Sequence, residues 1–204
     1  MNTIKQPTKK IFLNDVKDHL IEVKKDDGIY RHIRYSQPET STMYFDLITW
    51  PGYLCYTGDM GSYLFSRIKD MFCFFRNNKL EINPGYWSEK VFSESRFGNG
   101  ITKFSIEEFN EHVLNSTRSY LDLEENEKIP NEIMQEISPL LSAEDEYECV
   151  NEMRNFYSDK IRFDDFWEYD CQIFTYHFIW CCYAIVWGIQ QYNKFIIKGE
   201  KNDR

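Results

Sequence analysis

T-W-P-G-Y-L-C-Y-T-G-D-M-G-S-Y-L-F-S-R, residues Thr49 to Arg67, sets the reading of the whole chain. Just before and into it, Phe45, Leu47 and Thr49 alternate with Asp46, Ile48 and Trp50, the period of a strand. Pro51-Gly52 stops that strand, because proline has no amide hydrogen for a ladder and glycine tolerates positive φ. Tyr53 to Tyr56 resumes extended, Gly58-Asp59-Met60-Gly61 turns again, and Tyr63-Leu64-Phe65 leads into a helix. Gly52, Gly58 and Gly61 fall within ten residues, so the backbone bends sharply there or something approaches it closely. The stretch is the pivot of an aromatic-rich α+β domain.

Working outward, residues 1–18 are polar and read as a frayed end, and His19 to Lys25 as a strand. Asp26-Asp27-Gly28 is a hairpin signal, and Ile29 to Tyr35 returns. Ile29, Arg31, Ile33 and Tyr35 share one face of that strand and Tyr30, His32 and Arg34 the other, neither cleanly apolar. With Thr42 to Trp50 and Tyr53 to Thr57 this makes about four antiparallel strands between Leu20 and Phe65. Phe65 to Arg76 then has Ile68, Met71, Phe72 and Phe75 at helical spacing. Asn83 to Trp87 is a turn or short helix start, and Arg96 to Gly100 a glycine-containing loop. Ser105 caps a helix to about Leu121, with Glu108 at the capping-box position. Asn131 to Leu141 is a helix, and Ser142 caps another to about Tyr157. Asp164-Asp165-Phe166-Trp167 opens the last element. Cys171 to Asn193 is a run of 23 residues without a charge, long enough for a membrane, yet carrying Gln172, His177, Gln190 and Gln191. A helix buried on all sides fits it better. The expected architecture is a single α+β domain over 1–204, β-rich from 19 to 65 and mainly helical from 66 to 204. A small antiparallel sheet packs on the buried C-terminal helix.

The 204 residues carry a net charge of −9, and no Lys/Arg-rich run offers the basic footprint of a nucleic-acid binder. Ten acidic residues and one lysine between Leu121 and Val150 account for that charge. Such a segment could compete for a basic groove as a nucleic-acid mimic does, or steer a basic partner; its plain alternative is a solvated helix pair. Six cysteines without C-x-x-C spacing, and an N-terminus without an apolar core, point to a reduced cytosolic protein.

Other constellations are weaker. His177 and Cys181 share a helix face at a zinc-compatible spacing, but two further ligands are lacking and a buried histidine beside small thiols explains them. Gly58 to Gly61 could cradle a phosphate, but no P-loop lysine follows and Asp59 repels anions, so a hairpin turn is preferred. Asp164, Asp165, Glu168 and Asp170 suit a helix N-terminus. Tyr30, Arg31, His32 and Arg34 could bind an anion or form a solvated strand face. Cys55 with His32 would make a nucleophile pair only at hydrogen-bond distance.

F-D-L-I-T-W-P-G-Y-L-C-Y-T-G-D-M-G-S-Y-L-F-S-R-I-K-D-M-F, I-N-P-G-Y-W-S-E-K and the final F-D-D-F-W-E-Y-D-C and F-I-W-C-C-Y-A-I-V-W-G-I resemble a family of uncharacterised proteins carried by bacteriophages and prophages. The likeness spans about Asp18 to Tyr192, with 121–160 matching more loosely. It implies an accessory phage protein made in the cytoplasm of a bacterial host, and attaches no enzymatic activity. By analogy such proteins often blunt host defence. The reading is a protein-binding inhibitor of an anti-phage defence component, anti-CRISPR-like or otherwise, acting by occlusion. It uses no cofactor or metal and no direct nucleic-acid or membrane contact. Its candidate contacts are Tyr30, Arg31, His32, Arg34, Trp50, Asp59, Met60, Arg67, Glu144, Asp145 and Glu146. The alternatives are a binder of, or enzyme for, an anionic nucleotide signal, in which Arg31, His32, Arg34 and Arg67 take phosphates and Asp59 acts as acid or base, and a structural or regulatory phage protein.

Overall fold

The computed structural model describes residues 6–95 and 100–202, so most of the expected loop from Arg96 to Gly100 lies outside the described residues. In chain order the elements are α1 (Lys9–Asp15), β1 (Leu20–Asp27), β2 (Tyr30–Ser36), β3 (Phe45–Trp50), β4 (Tyr53–Gly58), β5 (Gly61–Ser66), α2 (Met71–Phe75), α3 (Pro84–Ser88) and β6 (Val91–Glu94). There follow β7 (Thr102–Phe104), α4 (Ile106–Tyr120), α5 (Asn131–Leu141), α6 (Glu146–Asn155), a 3-10 turn at Phe166–Glu168, β8 (Gln172–Phe174) and α7 (Tyr176–Asn202). β7 and β8 pair with each other. The chain divides into two compact units, one of Met1–Thr102 with Phe174–Arg204, the other of Lys103–Ile173.

The first unit is α+β, as the sequence implies, but its sheet has six strands in the order β1 to β6, all antiparallel, where about four were expected. The added strands come from two places. Tyr63-Leu64-Phe65 does not lead into a helix: Gly61, at φ 106°, pairs with Gly58 and opens β5, whose Tyr63 and Phe65 point into the core. β6 is a four-residue edge. The helix expected over Phe65 to Arg76 shrinks to five residues, because Asp70 caps it and accepts from the Phe72 amide at 3.0 Å.

The uncharged run divides: Gln172–Phe174 forms β8, and Tyr176 to Asn193 forms most of α7. On that helix Phe178, Trp180, Cys181, Cys182, Ala184, Ile185, Val186 and Ile189 are buried, while Tyr183, Trp187 and Gln190 to Asn193 are only half-buried, so it is not enclosed on all sides. Its N-terminus is set by Thr175, whose hydroxyl accepts from the Phe178 amide, and not by the acidic cluster from Asp164. The helix lies against the face of Ile33, Tyr35, Phe45, Leu47, Tyr56 and Phe65. Gly188 sits tight against it, and its carbonyl accepts from the Tyr35 hydroxyl at 2.6 Å. Described residues 6–18 are not frayed. Thr8 caps α1, and Phe12, fully buried, inserts between Trp180, Tyr183 and Trp187. Burial of one such ring contributes about 1.5–3 kcal/mol. Among the described residues no helix is long and apolar enough to cross a membrane.

The second unit packs α4, α5 and α6 around Phe109, Val113, Ile133, Ile137, Leu140, Cys149 and Met153. Ser105 does cap α4, accepting from the Glu108 amide, but the Glu108 carboxylate accepts from Tyr169 at 2.7 Å instead of closing a capping box. Ser142 ends α5 and returns its hydroxyl to the Ser138 carbonyl; the cap of α6 is Asp145.

Candidate functional site

On β2 and β3, side-chain alternation sends Ile33, Tyr35, Phe45 and Leu47 to the core and His32, Arg34, Asp46, Ile48 and Trp50 to the opposite face. Asp46 is only 5% exposed there. A carboxylate so buried needs compensating partners. It has them: Arg34 grips it through Nε at 3.0 Å and Nη2 at 2.7 Å, and His32 Nε2 sits 3.2 Å from Oδ1. The bond to Asp46 raises the Arg34 pKa above its ordinary value, and the guanidinium lies 5.1 Å from the Tyr44 ring centre. Across the Pro51-Gly52 turn Trp50 stacks on Tyr53 at 5.3 Å, and Tyr53 meets the edge of Phe92, itself 69% exposed. Tyr30, exposed, lies under Lys25.

Arg31, Asp59 and Met60 do not join that face. Arg31 points to the core side, 10% exposed, with both terminal nitrogens on Asp70 at 2.9 and 3.0 Å and its guanidinium against Phe72 and Tyr192. It is a structural clamp and unavailable to an anion. Asp59 and Met60 form the tip of the β4–β5 hairpin. Asp59 accepts from the Met43 amide at 2.8 Å, and Met60, nearly buried, offers its carbonyl to the Cys181 thiol. The turn is therefore a hairpin. Arg67 is exposed in the bend after β5. Cys55 and His32 both pair with Ile48, from opposite sides, so they stand two strands apart, roughly 10 Å, too far for base and nucleophile. Burial, and then the Asp46 charge, push the Cys55 thiol up, away from reactivity. Cys181 is fully buried, and burial raises its pKa well above the usual thiol range. Among the described residues no three His, Cys, Asp or Glu side chains are placed to hold a metal.

In the second unit Glu144, Asp145 and Glu146 are exposed at the start of α6. Asp145 is spoken for by the Glu148 amide at 2.8 Å, and the Glu148 carboxylate takes the Glu144 amide. These local bonds explain why acids stand here. They leave the charge itself uncompensated. Residues 103–173 hold nineteen carboxylates against six lysines and arginines, net −13, so the rest of the chain is +4. The segregation is sharper than the acidic 121–150 stretch alone suggests. Lys160 bridges Glu132 and Glu136 at 3.0 and 3.1 Å. Tyr169 is pushed up to about 12, by its hydrogen bond to Glu108 first, and Cys171 to about 11 by burial.

Sequence reasoning missed a groove in this unit, a cavity of about 380 Å³ lined by Phe156, Tyr157, Asp159, Phe163, Asp164 and Trp167, among others. Its floor is a run of touching rings: Phe156 on Phe163 at 5.1 Å, Phe163 on Phe166 at 5.7 Å, and Trp167 on Phe166 at 5.3 Å. Tyr157 is 83% and Trp167 50% exposed beside it. The signal was present in F-Y-S-D-K-I-R-F-D-D-F-W, where rings alternate irregularly with charges and follow neither helix nor strand period. Compared with family models, with curated proteins and with solved structures, the chain matches none.

Proposed function

We propose that this chain is a non-catalytic binding protein that blocks a basic surface on a protein partner, and that in a phage setting the partner is a host defence component. What supports the mode of action is the charge of the second unit, −13 in residues 103–173, of which −2 falls on each of α4, α5 and α6 and the rest on the segments around them. Nuclease and effector complexes hold nucleic acid in positively charged channels, which an acidic folded surface can occupy in its place. The nucleotide alternative draws on Arg31, His32, Arg34 and Arg67 of the first unit, and two of these arginines are already engaged, Arg31 with Asp70 and Arg34 with Asp46. The phage setting rests on the resemblance of the W-P-G-Y-L…G-D-M-G and F-I-W-C-C-Y-A blocks. Expression of the chain in a defence-competent bacterium should raise the plating efficiency of a restricted phage. Glu144→Lys with Glu146→Lys, exposed positions whose side chains are not the α6 cap, should reduce that gain and weaken partner capture at low salt. Plating unchanged across hosts carrying different defences would remove the inhibitor reading; plating raised equally by the charge-reversed variant would remove the acidic surface from it.

A further inference from the structure

The groove beside Tyr157 and Trp167 has two unusual properties together. Large rings stand exposed at its rim, where a folded surface that binds nothing gains no stability from them, and it lies in the acidic unit. Exposed tyrosine and tryptophan over a ring-lined depression is the composition of an interface centre. Charge identifies the occupant. Two carboxylates, Asp159 and Asp164, line the groove against one arginine, Arg162. The unit around it is −13. Arg162 and Asp164 both also border the neighbouring depression formed with His112, Ser116 and Tyr120, so at that boundary the one arginine faces a carboxylate, and Asp159 belongs to the groove alone. An anion drawn to Arg162 would enter against the field of the whole unit, whereas a cation enters with it. A cation also has somewhere to rest, since guanidinium and ammonium groups are attracted to the faces of tryptophan and tyrosine.

Resting on the binding reading above, we propose that this groove seats a basic segment of the protein partner. An apolar side chain of that segment enters over Phe156 and Phe163. Its flanking arginines or lysines are held by Asp159 and Asp164 and by the rings of Tyr157 and Trp167. The acidic surface of α5 and α6 steers the partner, and the groove fixes where it docks.

The probe is an acetylated, amidated octapeptide with three arginines and two leucines, its control the same peptide with glutamate for arginine. Binding is followed by NMR at low salt on the full chain, with the Trp167 indole N–H assigned from its loss in Trp167→Phe. The arginine peptide should shift the Trp167 indole and the amides of 156–167, and Tyr157→Ala with Trp167→Ala should weaken it at least ten-fold. Both rings are exposed, and an unchanged melting temperature verifies that the variant is folded. Shifts spread over α5 and α6 with no loss in the double variant would overturn the groove while leaving the acidic-surface function standing. No binding by the wild type would overturn the groove as a seat for basic segments, with the plating test still deciding the function. Equal or tighter binding of the glutamate peptide would overturn it in favour of an anion at Arg162.

Discussion

The Arg31–Asp70 pair shows what one residue does in this fold. Burial alone would raise the Asp70 carboxyl; hydrogen bonds from Arg31 and from the Phe72 amide, with the guanidinium charge, outweigh it and hold the group below the ordinary carboxylate range. With a folded pKa below the unfolded one, the unfolded chain takes up the proton more readily. The stabilisation is therefore complete above the unfolded value, near pH 4, and is lost as pH falls through the lowered one. Asp70→Asn keeps a side chain able to cap α2 but removes the charge. It should cost about 1–3 kcal/mol at pH 7 by urea unfolding, since the pair is largely desolvated. The gap from wild type should close as acid protonates Asp70, and a gap that persisted at about pH 2 would place its origin elsewhere. The clamp was half legible. Strand alternation already puts Arg31 on the side of Ile33 and Tyr35, away from His32 and Arg34. Its partner lies 39 residues on, and no local pattern points there. The same limit hid Asp46, which looks like any polar strand residue until His32 and Arg34 are seen to converge on it.

At the scale of elements, the long periodic or uncharged runs were legible and the short ones were not. α5 and the buried character of α7 follow from sequence because each holds its pattern over many residues. α1 was missed because two inward residues, Phe12 and Val16, give too little periodicity among lysines and asparagine. β5 was missed because Tyr63-Leu64-Phe65 suits either element and only the Gly58–Gly61 hairpin decides it. α7 also contains a glycine that its own helix propensity disfavours. A Cβ on Gly188 would come within 2.8 Å of Leu47 Cδ1, 3.1 Å of Tyr35 Cε2 and 3.3 Å of Phe45 Cε2, all fully buried side chains. Gly188→Ala gains about 1 kcal/mol of intrinsic helix preference but overpacks the helix–sheet contact at a cost of about 1–3 kcal/mol. Packing should win, with a lower urea midpoint and an unchanged slope. Gly85→Ala, in helix α3 with nothing within 4 Å of the added carbon, is the control and should be neutral or slightly stabilising. A Gly188→Ala protein as stable as wild type would mean that the contact relaxes freely and that the glycine is not what lets α7 seat on the sheet.

For the molecule as a whole, the partition of charge is the property from which the functional proposals derive. A net −13 is confined to residues 103–173, −2 on each of α4, α5 and α6 and the rest on the segments around them, so this unit should repel itself, while the remainder, at +4, carries no comparable burden. Like-charge repulsion destabilises a compact state and is screened by salt, the Debye length falling from about 30 Å at 0.01 M to about 3 Å at 1 M. Native-state hydrogen exchange reads the two units separately in the intact chain. Raising sodium chloride across that range should increase protection of the α4, α5 and α6 amides severalfold, and change that of β2 to β5 little. Because a denaturant would act on both units, salt is the sharper agent: it addresses the charge and leaves the apolar contacts nearly alone at the lower concentrations. If the sheet and the helices respond alike, the carboxylates are too well solvated to feel one another. A field too weak to be felt between neighbouring helices would not steer a basic partner from a distance either, so the same measurement bears on the stability of the unit and on the force proposed to recruit its target.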